Sequence, residues 1–327
     1  EAIDAAQPGD VILVEPGAYQ ETPVLVGKGV SLVADGGPVS VRSLDVREVP
    51  AGQFALVRGF EVGPPSPIPP GRPGLFARSN QGSVRFEECA FEGHVGRAYV
   101  FLGGTLKGYD GLPGALVASS RDVAFQACAF EGGPGGSITD SSFQIGTSNG
   151  GPGLESSTSL VVVSDGVLLG GHGGEDFDDE GAGGGTGGPG LINREGSRAE
   201  LHGGLLQGGD GGDGSCEAVS GICLSGGDGG DGVRQVNTAS SLVLRDAPAL
   251  GGAGGAAPAG GVGGSDGDPG LPVALFNGSL NTYAAVHRSL RASAPTREGQ
   301  LLSLEILAEP GDGLLLFGAL SGGHAPL

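Results

Sequence analysis

The heptapeptide GGDGGDG occurs twice, at 208–214 and 226–232, and each copy carries two aspartates. These residues are Asp210, Asp213, Asp228 and Asp231, and the neighbouring acidic segment at 175–180 adds Asp176, Asp178 and Asp179. Carboxylate oxygens are the ligands that Ca²⁺ prefers in proteins. The pattern predicts a solvated acidic edge, with a calcium site as the less favoured alternative. No other cofactor is required.

Cys216 and Cys223 stand between the two copies, and we predict that they form a disulfide at the tip of a hairpin. Cys89 and Cys128 occupy matching positions in two similar segments, SVRFEECAFEG and DVAFQACAFEG. Stacked neighbours in a parallel sheet lie close enough for a disulfide, so this pair is interpreted either as a disulfide or as two buried thiols. An even number of cysteines is typical of proteins in an oxidising compartment.

The composition excludes several classes of partner. The formal net charge is −20 with only 17 Lys and Arg residues, and phosphate binding needs clustered cations, so nucleic acid is excluded. No apolar run approaches the roughly 18 residues of a membrane-spanning helix, so membrane insertion is not expected. The chain starts at Glu1 and contains no Met, which indicates a processed product or a fragment, so that any signal peptide is not present in it. We therefore expect an extracellular or cell-surface protein.

A unit of about 38 residues recurs along the chain. Its aligned positions are, in three sets, Val84, Val123, Val161, Ala199 and Leu242; Phe86, Phe125, Val163, Leu201 and Leu244; and Phe91, Phe130, Leu168, Leu206 and Ala249. Alternation with a period of two is typical of strands. A second strand beginning at Pro-Gly is predicted at 73–80, 113–120, 152–159, 189–197 and 269–279. Short strands at a fixed period predict a β-solenoid, because no unit can bury its apolar face alone.

The segment AIDAAQPGDVILVEPGAYQE at 2–21 resembles the N-terminal segment of right-handed parallel β-helix proteins of the pectin-lyase-like family. In that family a short capping helix leads through an A-x-PGD-x-I-x-V-x-PG-x-Y-x-E pattern into the first turn of the solenoid. The matching residues are Ala6, Pro8, Gly9, Asp10, Ile12, Val14, Pro16, Gly17, Tyr19 and Glu21. The resemblance implies an all-β, right-handed parallel β-helix. This fold hosts lyases, hydrolases, adhesins and structural proteins, so it identifies no activity.

We predict no catalytic residues. His172 and the acidic segment after it invite comparison with polygalacturonases, which have a Gly-His-Gly motif and paired aspartates. In those enzymes the aspartates precede the histidine and lie on a strand, whereas here they follow it in a loop, and the flanking Asn-x-Asp and Arg-x-Lys motifs are missing. We therefore favour a non-enzymatic protein, with a polysaccharide lyase or glycoside hydrolase of the same fold as the alternative.

Between residues 132 and 270 the glycines form Gly-Gly-X triplets on arms that leave the predicted solenoid and return to it. The outgoing arms are 132–137, 170–175, 208–214 and 251–256, and the returning arms are 150–153, 184–190, 226–232 and 260–265. Polyproline II has three residues per turn, so the X side chains share one edge and neighbouring chains approach closely. We predict stacked polyproline II hairpins, similar in local pattern to the glycine-rich bundles of some antifreeze proteins, and a disordered loop is the alternative.

After residue 280 the glycine arms stop, and alternating apolar residues around 310–312 predict a β-hairpin. We therefore divide the chain into a β-helix at 1–280 and a short C-terminal β segment at 281–327. Open solenoid ends and C-terminal strands predict a homopolymer, and surface polysaccharide is a second candidate partner. The favoured function is a structural or adhesive β-solenoid that self-assembles into a filament. An ice or calcium binder is the least favoured alternative.

Overall fold

The structure, a computed structural model, divides into two compact units, Glu1–Tyr283 and Ala284–Leu327. The predicted division after residue 280 lies close to this boundary. The structure describes residues 2–63, 72–96, 98–100, 106–108, 110–136, 148–175, 183–216, 221–237, 239–258, 263–276, 279–283, 289–292 and 304–307.

The first unit begins with a short helix, α1 (Ala2–Ala5), and continues as successive turns of strands, here called rungs. Rungs 1 to 3 contain β1 (Val11–Val14), β2 (Gly17–Tyr19) and β3 (Val24–Val26); β4 (Ser31–Ala34), β5 (Val39–Val41) and β6 (Leu44–Arg47); and β7 (Phe54–Arg58), β8 (Phe60–Val62) and β9 (Leu75–Arg78). Rung 4 contains β10 (Ser83–Glu87), β11 (Ala90–Glu92), the excursion strands β12 (Ala98–Val100) and β13 (Leu106–Gly108), and β14 (Ala115–Ala118).

The later rungs carry the glycine arms. Rung 5 contains β15 (Asp122–Gln126), β16 (Ala129–Glu131) and β17 (Leu154–Ser157). Rung 6 contains β18 (Leu160–Leu169) and β19 (Leu191–Arg194), and rung 7 contains β20 (Arg198–Gln207) and β21 (Val233–Val236). Rung 8 contains β22 (Ser241–Arg245), β23 (Ala249–Leu250) and β24 (Val273–Phe276), and β25 (Ser279–Tyr283) begins the next turn.

Equivalent strands of successive rungs pair in parallel and form three columns. In the first column Val84 is in register with Val123, and Val123 with Val161. In the second column Phe91 is in register with Phe130, and β18 and β20 are long enough to serve both columns. The third column is an eight-stranded parallel sheet from β3 to β24. These registers confirm the predicted parallel β-helix and every predicted alignment of apolar positions.

The core of the solenoid is a continuous stack of apolar side chains from successive rungs. The rings of Phe86 and Phe125 stack with centroids 4.9 Å apart, and those of Phe91 and Phe130 stack at 5.5 Å. All four are buried. Identical residues at one register position therefore repeat the same contact from rung to rung. One repeat of the sequence thus corresponds to one turn of the solenoid.

Corners between strands use left-handed backbone conformations at residues other than glycine. Ala127 and Asp165 have φ of 49° and 54° between the first and second columns. Ser119 and Thr158 have φ of 49° and 50° after the third column. Such residues are strained in isolation, so the stacked rungs on both sides must hold them in place.

Cys89 and Cys128 lie in the same slot of rungs 4 and 5, and the Cys89 carbonyl accepts the N–H of Ala129 at 2.9 Å. Neither cysteine forms a disulfide, and both are buried. The hydrogen bond with Cys89, together with burial, raises the pKa of the Cys128 thiol. Of the two interpretations left open by the sequence, the structure contains two buried thiols that are shielded from solvent.

The Pro-Gly signal identifies the third-column strands of rungs 3 to 6 but is absent before those of rungs 1 and 2 and fails for the last two rungs. β21 begins after Asp231-Gly232, with no proline. β24 pairs Val273 with Val233, so Leu271-Pro272 occupies the position of the earlier Pro-Gly pairs. The predicted alignment of the Pro-Gly at 269–270 is therefore wrong by two residues, because Pro269 and Gly270 belong to the returning arm, at the positions of Gly229 and Gly230.

The second unit contains one described antiparallel pair, β26 (Ser289–Ala292) with β27 (Leu304–Leu307). The predicted hairpin around 310–312 lies outside the described residues. Within the described part of the chain, no helix is long and apolar enough to cross a bilayer.

Candidate functional site

The glycine arms leave the solenoid after the second column and return before the third, and they stack in two layers. In the layer of outgoing arms, the Gly135 N–H donates to the His172 carbonyl, and the Gly173 N–H donates to the Asp210 carbonyl, both at 2.8 Å. In the layer of returning arms, the Gly187 N–H donates to the Asp228 carbonyl at 2.9 Å. Each arm is therefore bonded to the equivalent arm of the next rung.

A second set of hydrogen bonds runs between the two layers in a zigzag. The Gly171 N–H donates to Gly151, Gly188 to Gly171, Gly209 to Gly188, and Gly230 to Gly209, over distances of 2.7–2.8 Å. Each step passes from an outgoing arm to a returning arm or back. Backbone groups that a lone polyproline II chain would leave to water are thus paired within the bundle.

The three residues of a triplet have three different roles. One glycine N–H bonds within its layer, the other bonds across the layers, and the X residue faces outward. This threefold division is what three residues per turn would produce. The arms carry no strand or helix in the described residues, and their polyproline II conformation stays a prediction.

Only glycine fits the inner positions 171 and 173 of the rung 6 arm. A Cβ at Gly171 would overlap the carbonyl oxygen of Gly133, and a Cβ at Gly173 would overlap that of Gly185. The X residue between them, His172, keeps a side chain that is 68% exposed. The close approach of neighbouring backbones therefore explains the strict glycine step.

The bundle begins one rung earlier than the sequence indicates. In rung 4 the Gly93 N–H donates to the Glu131 carbonyl, and the Gly96 N–H donates to the Pro134 carbonyl, both at 2.8 Å. The arm there reads Gly-His-Val-Gly, so it has only one glycine per turn and no triplet pattern. The sequence did contain one signal for this arm, because Gly93 and Gly96 are spaced like the glycines that donate within the layer in later rungs.

The aspartates of the GGDGGDG arms bond to the backbone of the following rung. Oδ1 of Asp210 accepts the N–H of Ala253 at 2.8 Å, and Oδ1 of Asp213 accepts that of Ala256 at 2.7 Å. On the returning arm, Oδ1 of Asp228 accepts the N–H of Asp268 at 2.9 Å, and Oδ1 of Asp231 accepts that of Leu271 at 3.1 Å. All four carboxylates therefore tether rung 8 through the outward N–H groups of its X residues.

Earlier rungs have fewer tethers of this kind. Oδ1 of Asp110 accepts the N–H of Asn149 at 2.9 Å, and Oδ1 of Asn149 accepts that of Thr186 at 3.1 Å. Rung 6 has His172 and Pro189 where rung 7 has Asp210 and Asp231. The repeated acidic heptapeptide thus lies in rung 7, which binds the arm pair of rung 8. At Asn149 the side-chain amide oxygen accepts the same kind of hydrogen bond.

The predicted calcium ligands are not gathered into one cluster. Asp210 and Asp213 lie on the outgoing layer, whereas Asp228 and Asp231 lie on the returning layer. Asp176, Asp178 and Asp179 lie outside the described residues. Within the described part of the chain, no group of three or more His, Cys, Asp or Glu residues could hold a metal ion. The calcium site stays a prediction.

The predicted disulfide between Cys216 and Cys223 is present at the tip of the rung 7 arms. The two residues also form an isolated antiparallel bridge, and the Leu224 N–H donates to the Ser215 carbonyl at 3.0 Å. The crosslink therefore fixes the arm pair that carries the four aspartates.

A groove of about 510 Å³ lies on the outward face of the second column, beside the base of the arms. Ala90, Ala129 and Val167 form one register row of its lining, and Glu92 and Glu131 belong to the next. None of the described residues that line the groove is Lys or Arg. The groove is therefore apolar with an acidic row.

The two glutamates of this row are in register, and neither carboxylate has a hydrogen-bond or ion-pair partner among the described residues. Burial, and then the charge of Glu131, raise the pKa of Glu92. Elsewhere on the solenoid, neighbouring rungs pair opposite charges: Arg85 contacts Asp122 at 3.0 Å. The acidic row is thus an exception to the local pattern of charge compensation.

Comparisons with known proteins add little to the fold assignment that the strand registers already give. No protein-family model matches the sequence, and no curated protein matches it. Among solved structures the chain is similar to the crystal structure of pectate lyase Pel9A, with 12% identity and a TM-score of 0.28, covering 86% of this chain and 72% of that one. A similarity of this size carries no inference about activity.

Three consecutive alanine substitutions test the packing of the bundle. Gly171→Ala and Gly173→Ala should each destabilise the protein by about 1–3 kcal/mol, because the new methyl group overlaps a backbone carbonyl of the facing arm. His172→Ala, the matched control between them, should change stability by no more than about 0.5 kcal/mol. The measurement is denaturant unfolding of the three variants. Equal effects at all three positions would contradict the interleaved packing.

A second series tests the tethers from rung 7 to rung 8. Asp213→Ala should speed hydrogen exchange of the Ala256 amide, and the loss of one bond should cost about 1 kcal/mol locally. Asp213→Asn should preserve protection, because its amide oxygen accepts the same bond, as Asn149 does in rung 5. Glu175→Ala is the control, since Glu175 occupies the same row one rung earlier.

The same variants separate a tether from a calcium site. A tether predicts that added Ca²⁺ leaves the melting temperature of the wild type unchanged. A calcium-dependent rise in melting temperature that disappears in Asp213→Asn would instead assign the carboxylates to a metal.

Proposed function

We propose that this protein is a structural or adhesive β-solenoid of the cell surface or extracellular space, and that it assembles with copies of itself into filaments. The observation that carries the proposal is the two-layer glycine bundle, in which arms from rungs 4 to 8 are joined by backbone hydrogen bonds within and between layers. Such a bundle offers a projecting surface whose interior is almost entirely backbone, with neighbouring arms in close contact.

The disulfide at the arm tip supports an extracellular location, because such crosslinks persist in oxidising compartments. The exposed row of the outgoing layer runs through Val95, Pro134, His172, Asp210 and Ala253, so it mixes apolar, basic and acidic side chains. A mixed row of this kind favours a mechanical or adhesive role over recognition of a uniform lattice.

Electron microscopy of the purified native protein, with and without EDTA, tests the proposal. We expect ordered fibres whose axial repeat reflects stacked solenoids. Discrete monomers at all concentrations would overturn the filament function. Fibres that disappear in EDTA would assign the acidic arms a calcium role in assembly.

The second candidate is a glycoside hydrolase or polysaccharide lyase, and the acidic row of the groove favours it. Glycoside hydrolysis uses two carboxyl groups, one of them with a raised pKa that allows it to donate a proton. Glu92 has a raised pKa and lies in register with Glu131 in an open groove. In this function Glu92 would be the acid and Glu131 the second carboxylate.

A polysaccharide-cleavage screen of the wild type and Glu92→Gln tests the candidate. Activity that disappears in Glu92→Gln would support it, and no cleavage of any polymer would remove it. The raised pKa means that the folded state binds the Glu92 proton more tightly than the unfolded chain, so this group lowers stability as pH rises through its pKa. Glu92→Gln should therefore melt higher than the wild type at neutral pH, and this advantage should vanish in acid.

A further inference from the structure

The last outgoing arm leaves two backbone donors at the edge of the bundle. In rung 7 the Gly208 N–H donates to the Leu250 carbonyl, and the Gly211 N–H donates to the Ala253 carbonyl. The equivalent amides in rung 8 belong to Gly251 and Gly254, and neither has an acceptor in the described part of the chain.

The last returning arm leaves two backbone acceptors at the same edge. In rung 7 the carbonyls of Gly227 and Gly230 accept N–H groups from the next outgoing arm at 2.8 Å. The equivalent carbonyls in rung 8, those of Gly267 and Gly270, accept no hydrogen bond from any described residue. Both glycines are also more exposed than Gly227 and Gly230, which are buried.

We propose that these four groups form a binding slot for one extended Gly-Gly-X segment of a partner chain. The bound segment would accept the N–H groups of Gly251 and Gly254 with its carbonyls and donate its glycine N–H groups to Gly267 and Gly270. This is the hydrogen-bond pattern by which each outgoing arm in rungs 6, 7 and 8 binds the arm pair before it. The surface is continuous with that repeated interface, and this continuity identifies the occupant.

The slot takes a single segment because the last returning arm has proline at two positions where the preceding returning arm has a donor glycine. Pro269 and Pro272 occupy the positions of Gly229 and Gly232, whose N–H groups donate to rung 8 at 2.8 Å. Proline has no N–H, so this layer offers no donor to a further returning arm. The occupant must also carry glycine at its inner positions, since a Cβ at the equivalent Gly252 would overlap the Gly209 carbonyl.

The slot does not depend on the proposed function, and a synthetic peptide tests it. The probe is acetyl-Gly-Gly-Ala-Gly-Gly-Ala-amide, added to ¹⁵N-labelled full-length protein and followed by NMR. The amides of Gly251 and Gly254 should shift and become protected from exchange, whereas those of Gly208 and Gly211 should not. A control peptide with alanine at every position should bind at least about tenfold more weakly.

Two results would overturn the proposal. One is the absence of any change at Gly251 and Gly254 at millimolar peptide. The other is protection of these amides on raising the protein concentration without peptide, which would assign the edge to a second copy. The double variant Pro269→Gly, Pro272→Gly supplies an independent check, because restored donors should raise the peptide stoichiometry from one to two.

Discussion

The pairing of backbone N–H and carbonyl groups in the glycine arms is the constraint on which this structure depends. An extended chain has no internal hydrogen bonds, and ordering glycine costs much conformational entropy. Isolated arms would therefore remain disordered, with their backbone groups bonded to water. Stacking them at the rise of the solenoid gives the glycines inside the bundle a partner, either in the same layer or across the layers. The β-helix core is therefore the frame that sets the spacing of the arms, and the arms determine where side chains are allowed.

This constraint also explains the chemistry of the acidic arms. The N–H of each X residue other than proline faces outward, where only water or a side chain of the preceding rung can accept it. Asp210 and Asp213 supply such acceptors to rung 8, and Asn149 supplies one to rung 6. The negative charge at these positions is thus partly a consequence of backbone pairing, since a short side chain ending in an oxygen meets the need.

The solenoid face follows a different rule. Charges on neighbouring rungs there are mostly compensated, as for Arg194 and Glu155, whose side chains approach to 3.0 Å. Glu92 and Glu131 break this rule inside a groove, and their repulsion is a cost that the fold does not relieve. Among the described residues, the groove and the open edge of the bundle are therefore places where unsatisfied groups point to an external partner.

The rung period, the registers of the first two columns and the glycine step follow from the amino-acid sequence alone, because each depends on a residue type that recurs at a fixed spacing. Val84, Val123 and Val161 could be aligned since identical burial demands similar side chains. The arms of rung 4 were missed because one of their positions is His94, which breaks the triplet. The role of the aspartates was decided only by the tertiary structure. Asp210 bonds to the N–H of Ala253, 43 residues away, and a backbone amide leaves no signature in the sequence.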